Sequence, residues 1–244
     1  MLLRLPTSVT EAQECLAEGA VPIGGATLVW ATWQRDGFPE RAMSLRELPE
    51  ANVIGPEALG AAVVLNRIDD RIPEVLRRAA GSVGTGAVRR TATVGGNIVG
   101  STLRCLLPAA LVLDARATVL ESDGPHETDL TEVLAKRPLL LGLRWHRPIA
   151  SAYRKLPGEA GGPPPLVVAA ALHDDGSGRH RLRVAVRDGY DVLSGDTLCD
   201  TGAGTDAEQI LHALKNTALG DLTAAAWEVV GRQVGNLLRC PGSH

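Results

Sequence analysis

The chain has 244 residues, 45% of them hydrophobic, so it can fill one large core or two of moderate size. Its formal net charge of -3 provides no basic surface for nucleic acid and disfavours a polyanionic partner. No apolar stretch approaches the roughly 20 residues of a membrane helix. The first residues are too short an apolar run for a signal peptide, because Arg4 and Pro6 interrupt it. We therefore expect a cytoplasmic protein with no membrane partner.

Two predicted helices near the start of the chain are separated by a glycine pair. Ser8 and Glu11 have the spacing of a capping box, and apolar residues follow at helical intervals until Gly19. Residues 20–33 begin as a short apolar strand, pass through Gly24-Gly25 and continue with a helical pattern. This order predicts a strand-to-helix turn. In the second of these helices, the spacing of Trp30 and Trp33 favours core packing over stacking on a ligand.

The middle of the chain mixes strands and helices. Residues 43–66 predict strand, turn and strand, and residues 72–84 predict a short helix ended by glycine. A second glycine pair, Gly95-Gly96, follows a β-branched run, and residues 106–122 predict a helix and then a strand. The order does not form a regular βαβ repeat.

A Pro/Gly cluster at residues 157–165 precedes a change of pattern. Two alternating strands, at 166–175 and 179–188, are predicted to form a hairpin, and two helical patterns follow at 206–219 and 222–238. We therefore predict an α+β fold with one domain over residues 1–150, in lobes of about 1–50 and 51–150, and a small α+β domain over residues 151–244.

The cysteines give no sign of a metal site, an iron–sulfur cluster or a disulfide framework, because they lie far apart without a Cys-x-x-Cys pair. We expect all four to be buried thiols: Cys15, Cys105, Cys199 and Cys240. No serine elbow or activated nucleophile is present either. The sequence therefore predicts no metal and identifies no catalytic residue.

The two glycine pairs have two interpretations. Their amides could form a nest for an anion such as the pyrophosphate of a dinucleotide, with glycine permitting close approach. They could equally be ordinary tight turns, since neither has the G-x-G-x-x-G or Walker pattern. We call residues 23–27 the first glycine loop and residues 93–101 the second glycine loop.

Longer runs around both loops carry a family resemblance. The runs "VPIGGATLV", "LGAAVVLNRI", "IPEVLRRAAGSVG" and "VRRTATVGGNI" resemble the FAD-binding subunit of molybdenum hydroxylases, which include carbon monoxide dehydrogenase and xanthine dehydrogenase. The similarity continues through "LPAALVLDARATVL" and "SAYRKL" and so covers nearly the whole chain. It implies a two-lobed FAD-binding domain of the molybdenum hydroxylase flavoprotein type, followed by a small α+β C-terminal domain.

The resemblance also implies which residues hold the cofactor. In the family, main-chain amides of both glycine loops cradle the FAD diphosphate, and a lysine matching Lys155 lies near the flavin ring. An equally good interpretation of Lys155 is a solvated lysine at a domain hinge. The implied cofactor contacts are Ile23, Gly24, Gly25, Ala26, Thr27, Thr93, Gly95, Gly96, Asn97, Ser101 and Lys155.

The chain departs from the family pattern at two places. The first glycine loop commonly reads Gly-Gly-Thr-Asp-Leu in the family, whereas Ala26 and Thr27 follow the glycines here. An acidic residue that the family places about nine positions before the counterpart of Asp114 is replaced by Cys105 or Leu106. Losing one charged hydrogen bond predicts FAD binding weakened about ten- to a hundredfold.

Two functions follow from this comparison. The first is an FAD-binding oxidoreductase subunit that transfers electrons together with iron–sulfur and molybdopterin subunits. The alternative is a stand-alone enzyme of secondary metabolism, such as a polyketide cyclase, that binds a small-molecule substrate in the same cleft. In this alternative, the chain either no longer binds FAD or binds it without using it in the reaction.

Overall fold

The computed structural model describes residues 1–159, 161–200 and 206–239. The described strands are β1 (Leu2–Arg4), β2 (Val21–Ile23), β3 (Arg41–Ser44), β4 (Ile54–Gly55), β5 (Ala58–Gly60), β6 (Arg116–Glu121), β7 (Gly124–Thr128), β8 (Leu139–Arg144), β9 (Ala150–Lys155), β10 (Val167–Asp174), β11 (His180–Asp188) and β12 (Asp191–Cys199). The described α-helices are α1 (Val9–Ala17), α2 (Val29–Asp36), α3 (Glu74–Gly81), α4 (Gly86–Arg89), α5 (Leu107–Val112), α6 (Leu130–Lys136), α7 (Ala207–Lys215) and α8 (Ala224–Arg239).

The chain forms two compact units, and each combines segments that are distant in sequence. The first unit contains Met1–Ile72, Val83–Arg104 and Ala115–Trp145. The second contains Pro73–Ser82, Cys105–Asp114 and the described residues from His146 onward. Helices α3 and α5 therefore group with the C-terminal segment. The predicted boundary at residue 150 stays a prediction.

The first unit contains two sheets. Strands β1, β3 and β2 form a parallel sheet in that order, with Leu2 opposite Arg41 and Ile23 opposite Ser44. Strands β4, β5, β8, β6 and β7 form an antiparallel sheet. Residues 43–66 hold the end of β3, 3-10 turns, β4 and β5, rather than the predicted strand, turn and strand.

Helix α1 begins and packs as its sequence predicts. The Ser8 hydroxyl accepts the amide of Glu11 at 3.2 Å, while the Glu11 carboxylate accepts the amide of Thr7 at 2.7 Å. These bonds satisfy amides that the first turn leaves without helical acceptors. Ala12 on the inner face of α1 packs with Leu48 and other apolar residues, so the capped helix covers the core of the first unit.

The second unit is an antiparallel sheet covered by helices. Strands β12, β11, β10 and β9 lie side by side, with Val168 of β10 opposite Val186 of β11. The predicted hairpin at 166–188 and both C-terminal helices are confirmed. Alternate residues of β10 and β11 bury their side chains against α7 and α8, because one sheet face is apolar and needs cover. Val230 and Val234 of α8 are fully buried in this core.

Three features differ from the sequence predictions or extend them. Strands β1, β7, β9 and β12 and helices α4 and α6 were not predicted. Trp30 and Trp33 do not enter a core, because α2 buries none of its residues and Trp30 is 51% exposed; both rings instead meet Phe38 edge to face. Three cysteines are buried free thiols as predicted, whereas Cys240 lies outside the described residues.

No described helix combines the length and the apolar character needed to cross a lipid bilayer.

Candidate functional site

The first glycine loop lies where a parallel strand gives way to a helix. Strand β2 ends at Ile23, opposite Ser44 of β3, and α2 begins at Val29. Parallel pairing presents the carboxyl end of β2 at one edge of the sheet, which is where open α/β sheets place ligand-binding loops. The sequence prediction of a strand-to-helix turn is confirmed.

The amides of the first glycine loop are free. Among the described residues, none accepts a hydrogen bond from the backbone N–H groups of Gly24, Gly25, Ala26 or Thr27. Gly24 and Thr27 are exposed. The backbone of Ala26 has φ +56°, a left-handed conformation that residues with a side chain rarely adopt. A left-handed residue within such a turn lets successive N–H groups point the same way, as in an anion-binding nest.

The second glycine loop uses its amides differently. The amide of Gly95 donates to the carbonyl of Ala61 at 2.9 Å, and that of Gly96 donates to the Thr93 hydroxyl at 3.2 Å. The amide of Asn97 donates to the Thr93 carbonyl at 3.0 Å and opens a π-helical turn over Gly96–Gly100. Its backbone amides are therefore committed inside the protein.

The glycines of the second loop permit close packing. A Cβ at Gly95 would lie 3.1 Å from the Ala61 Cβ, and one at Gly96 would lie 3.1 Å from the Thr93 hydroxyl. Both distances are tighter than ordinary van der Waals contact. In this structure Gly95 and Gly96 therefore serve protein packing, and their amides already have protein acceptors.

The two loops touch each other through the glycines of the first. A Cβ at Gly24 would overlap the Thr93 hydroxyl, and a Cβ at Gly25 would overlap the carbonyl of Thr91. Thr93 is 6% exposed, so it forms a buried support under the first loop. The absence of side chains at Gly24 and Gly25 is what brings the predicted residues of the two loops together.

The rest of the second loop continues beside the start of α2. Gly100 lies against Leu28, since a Cβ there would come within 3.6 Å of the leucine Cδ1. The amide of Ser101 then donates to the Gly96 carbonyl at 2.9 Å, and the Ser101 hydroxyl accepts the amide of Leu103 at 3.2 Å. Asn97 is buried and Ser101 is half-buried.

Lys155 belongs to the second unit, and so do the residues it contacts. Its Nζ donates to the carbonyl of Ser82 at 2.8 Å, and the side chain is half-buried, so it is not a freely solvated lysine. The Ser82 hydroxyl lies 3.0 Å from the hydroxyl of Tyr153. Burial raises the pKa of Tyr153 to about 12, so this phenol stays neutral at physiological pH.

No carboxylate occupies the place where the family resemblance puts one. Cys105 and Leu106 are both buried in the second unit. The Cys105 sulfur accepts a hydrogen bond from Nη1 of the fully buried Arg187 at 3.4 Å, and Nη2 of the same arginine donates to the Pro165 carbonyl at 2.6 Å. Cys105 therefore helps to hold a buried arginine and offers no charged acceptor to a cofactor.

Two residues that position the loops were missed by sequence reasoning. Thr91 supports Gly25 and Ala61 accepts the Gly95 amide, in both cases through a main-chain carbonyl. No side-chain pattern marks a carbonyl as an acceptor. The only usable signal was the glycine opposite each one, which indicates that a neighbouring backbone comes close.

Solved structures of quinoline 2-oxidoreductase and carbon monoxide dehydrogenase share the fold. Quinoline 2-oxidoreductase of Pseudomonas putida 86 matches with a TM-score of 0.71 and 17% identity, over 97% of this chain and 96% of that one. Carbon monoxide dehydrogenase of Hydrogenophaga pseudoflava matches with a TM-score of 0.72 and 18% identity, over 96% of each chain. Carbon monoxide dehydrogenase of Oligotropha carboxidovorans matches with a TM-score of 0.67 and 18% identity, over 100% of this chain and 89% of that one.

A family model, rather than an individual protein sequence, identifies the family. No curated protein sequence matches the chain significantly. The family model described as the FAD binding domain in molybdopterin dehydrogenase matches residues 3–141, which is more than half of the chain and includes both glycine loops. The family match also confirms the predicted α+β fold of the flavoprotein type. The chain belongs to the family of FAD-binding domains in molybdopterin dehydrogenases, whose cofactor is FAD.

Proposed function

We propose that the chain is the flavoprotein subunit of a molybdenum hydroxylase-type oxidoreductase and that its first glycine loop holds the FAD diphosphate. The observation that carries this proposal is the set of amides at Gly24, Gly25, Ala26 and Thr27, which have no acceptor among the described residues. Backbone N–H groups of a turn that have no protein acceptor are suited to phosphate oxygens. The family match gives that anion its identity.

The residues present fit a diphosphate. The donors are fixed main-chain groups, so no side-chain entropy is lost when they bind. Thr93 of the second glycine loop contacts Gly24, and the carbonyl of Thr91, two residues before that loop, contacts Gly25; both support the first glycine loop. We retain as proposed contacts the residues that the sequence identified: Ile23, Gly24, Gly25, Ala26, Thr27, Thr93, Gly95, Gly96, Asn97, Ser101 and Lys155. Within this set, the free amides make the first loop the principal donor.

The departures from the family pattern bear on affinity rather than on the identity of the cofactor. Ala26 and Thr27 leave the amides of the first loop in place, because main-chain donors do not depend on side-chain type. The acidic position is lost, since Cys105 and Leu106 are buried and uncharged. We therefore propose that this chain binds FAD more weakly than a relative that keeps the carboxylate.

FAD, when bound, supplies hydride and single-electron transfer at its isoalloxazine ring. The chain's contribution is to bind and orient the cofactor. We propose iron–sulfur and molybdopterin subunits as its partners, supported by the likeness to carbon monoxide dehydrogenase, one structure of which is described as a Cu,Mo enzyme. We further propose a cytoplasmic location, which the three buried free thiols favour, and a domain boundary near residue 150.

A binding measurement tests the proposal. The purified chain is titrated with FAD, and flavin fluorescence and the visible spectrum are recorded. Binding through the diphosphate predicts saturable uptake of FAD and competition by ADP. Riboflavin, which lacks phosphate, serves as the control and should not compete at matched concentration. A colourless protein that takes up no added FAD would contradict the proposal.

The stand-alone cyclase is not favoured. The family and fold matches are to FAD-binding domains and to subunits of molybdenum-containing oxidoreductases. Among the described residues no observation points specifically to a cyclisation substrate. Co-expression with candidate iron–sulfur and molybdopterin subunits, followed by affinity purification, distinguishes the two functions. A stoichiometric complex supports the flavoprotein, and a monomer that folds and cyclises a polyketide without flavin would support the alternative.

A further inference from the structure

Arg104, the last residue of the segment Val83–Arg104, has a buried side-chain donor with no acceptor in the part of the chain that the structure describes. Its Nε is buried, and among the described residues the side chain has no hydrogen bond and no ion pair. Buried N–H groups of native proteins nearly always have an acceptor. A charged guanidinium with a buried donor and no acceptor therefore indicates a group that the protein chain itself does not supply.

The backbone of Arg104 is also in an unusual conformation. Its φ is +38°, in the left-handed region that residues other than glycine rarely adopt. Among the described residues only four non-glycine residues have a positive φ, and two of them are Ala26, in the first glycine loop, and Arg104, just beyond the second. Strained backbone persists where surrounding structure holds it, and it concentrates at ligand-binding sites.

The second glycine loop connects Arg104 to the neighbourhood of the first glycine loop. Gly100 lies against Leu28, the residue that directly follows Thr27. Four residues span at most about 14 Å, and the hydrogen bond from Leu103 to the Ser101 hydroxyl turns the chain and shortens this span. Arg104 therefore lies within about 14 Å of Gly100 along the chain.

We propose that Arg104 is a cationic binding residue for the diphosphate that the amides of the first glycine loop hold. The inference rests on the proposed function and extends it to a side chain outside both loops. The Nε–Nη edge of a guanidinium donates two parallel hydrogen bonds to phosphate oxygens, and the buried Nε of Arg104 has no acceptor among the described residues. Main-chain amides carry only partial charges, whereas Arg104 supplies a full positive charge.

Substitution of Arg104 by glutamine tests the inference. R104Q removes the charge and retains a polar side chain. Arg116, an exposed arginine on β6 of the same unit, provides the matched control R116Q, which changes net charge equally. We expect R104Q to weaken FAD and ADP binding about ten- to a hundredfold and to reduce the dependence of binding on salt. R116Q should bind as wild type does.

The remaining outcomes separate this inference from the proposed function. If wild type binds FAD and ADP and R104Q binds them equally well with the same salt dependence, the inference is wrong. If R104Q unfolds at a lower temperature yet binds ADP as wild type does, Arg104 has a structural role only and the inference is also wrong. If R104Q does not fold, R104K is tested instead: it keeps the positive charge but cannot make the two parallel hydrogen bonds of a guanidinium. An ADP affinity of R104K equal to that of wild type would then overturn the proposed two-bond contact. If wild type binds neither ligand, the proposed function itself fails.

Discussion

The two glycine loops have similar local sequences but different hydrogen-bonding patterns. In the first loop the amides from Gly24 to Thr27 have no acceptor among the described residues, whereas in the second the amides of Gly95 and Gly96 donate to Ala61 and Thr93. The first loop is therefore a set of donors, and the second is a support that fixes their position. A Gly-Gly pair can thus mark either a ligand contact or a close contact between two backbones.

Gly25→Ala tests the contact between the first glycine loop and the backbone just before the second, and it should have the largest effect. The added Cβ would overlap the carbonyl of Thr91, which is backbone and cannot rotate away. We expect a loss of about 3 kcal/mol in the free energy of unfolding and a loss of detectable FAD binding. Urea denaturation and flavin fluorescence measure the two effects.

The matched control for this substitution is Gly81→Ala. Gly81 ends α3 with no atom within 4 Å of a built Cβ and with no positive φ. Alanine there should change stability by less than about 1 kcal/mol. Equal stability and equal FAD affinity in the two variants would show that the loops are not in contact as described.

Thr93→Val tests the supporting role of the second loop and should have an intermediate effect. Valine keeps the shape and removes the hydroxyl that accepts the Gly96 amide. An amide left without an acceptor costs about 1–3 kcal/mol, and the weaker support should also reduce FAD affinity. Thr93→Ser, which keeps the hydroxyl, should retain most of the stability; a serine variant as unstable as the valine variant would rule out this hydrogen bond as the cause.

Ala26→Gly tests the conformation of the donor loop and should have the smallest effect. Glycine relieves the strain of the left-handed backbone at φ +56°, which stabilises the folded state. It also raises the conformational entropy of the unfolded chain, which offsets part of that gain. We expect stability to change by less than about 1 kcal/mol, in the favourable direction. The control Ala87→Gly, at an exposed helical position of α4, should destabilise by about 1 kcal/mol. Equal losses in the two variants would contradict the strained conformation.

The elements with a strong apolar pattern were predictable from sequence. Strand β10 begins with a continuous apolar run, β11 places apolar residues at alternate positions, and α7 and α8 repeat apolar residues at helical spacing, so the existence of these elements follows from the pattern of burial. Strand β12 escaped prediction because only Cys199, at its end, is buried. It pairs through its backbone with β11, and backbone pairing leaves no trace in residue type.

The candidate site was predictable in part. The family resemblance located both glycine loops, but it could not distinguish free amides from bonded ones. That difference depends on Ala61 and Thr93, which reach the loop amides through a carbonyl and a hydroxyl. The exposure of Trp30 was also hidden, because helical spacing shows which residues share a face but not whether anything covers it.

The two tryptophans of α2, one exposed and one half-buried, have a practical consequence. Two of the chain's four tryptophans, Trp30 and Trp33, lie on the helix that begins directly after the first glycine loop, whereas Trp145 is buried. Indoles in contact with water emit at longer wavelength than indoles in a core. The chain thus carries an intrinsic optical reporter a few residues from its donor loop, and rearrangements there can be followed by emission without attaching a dye.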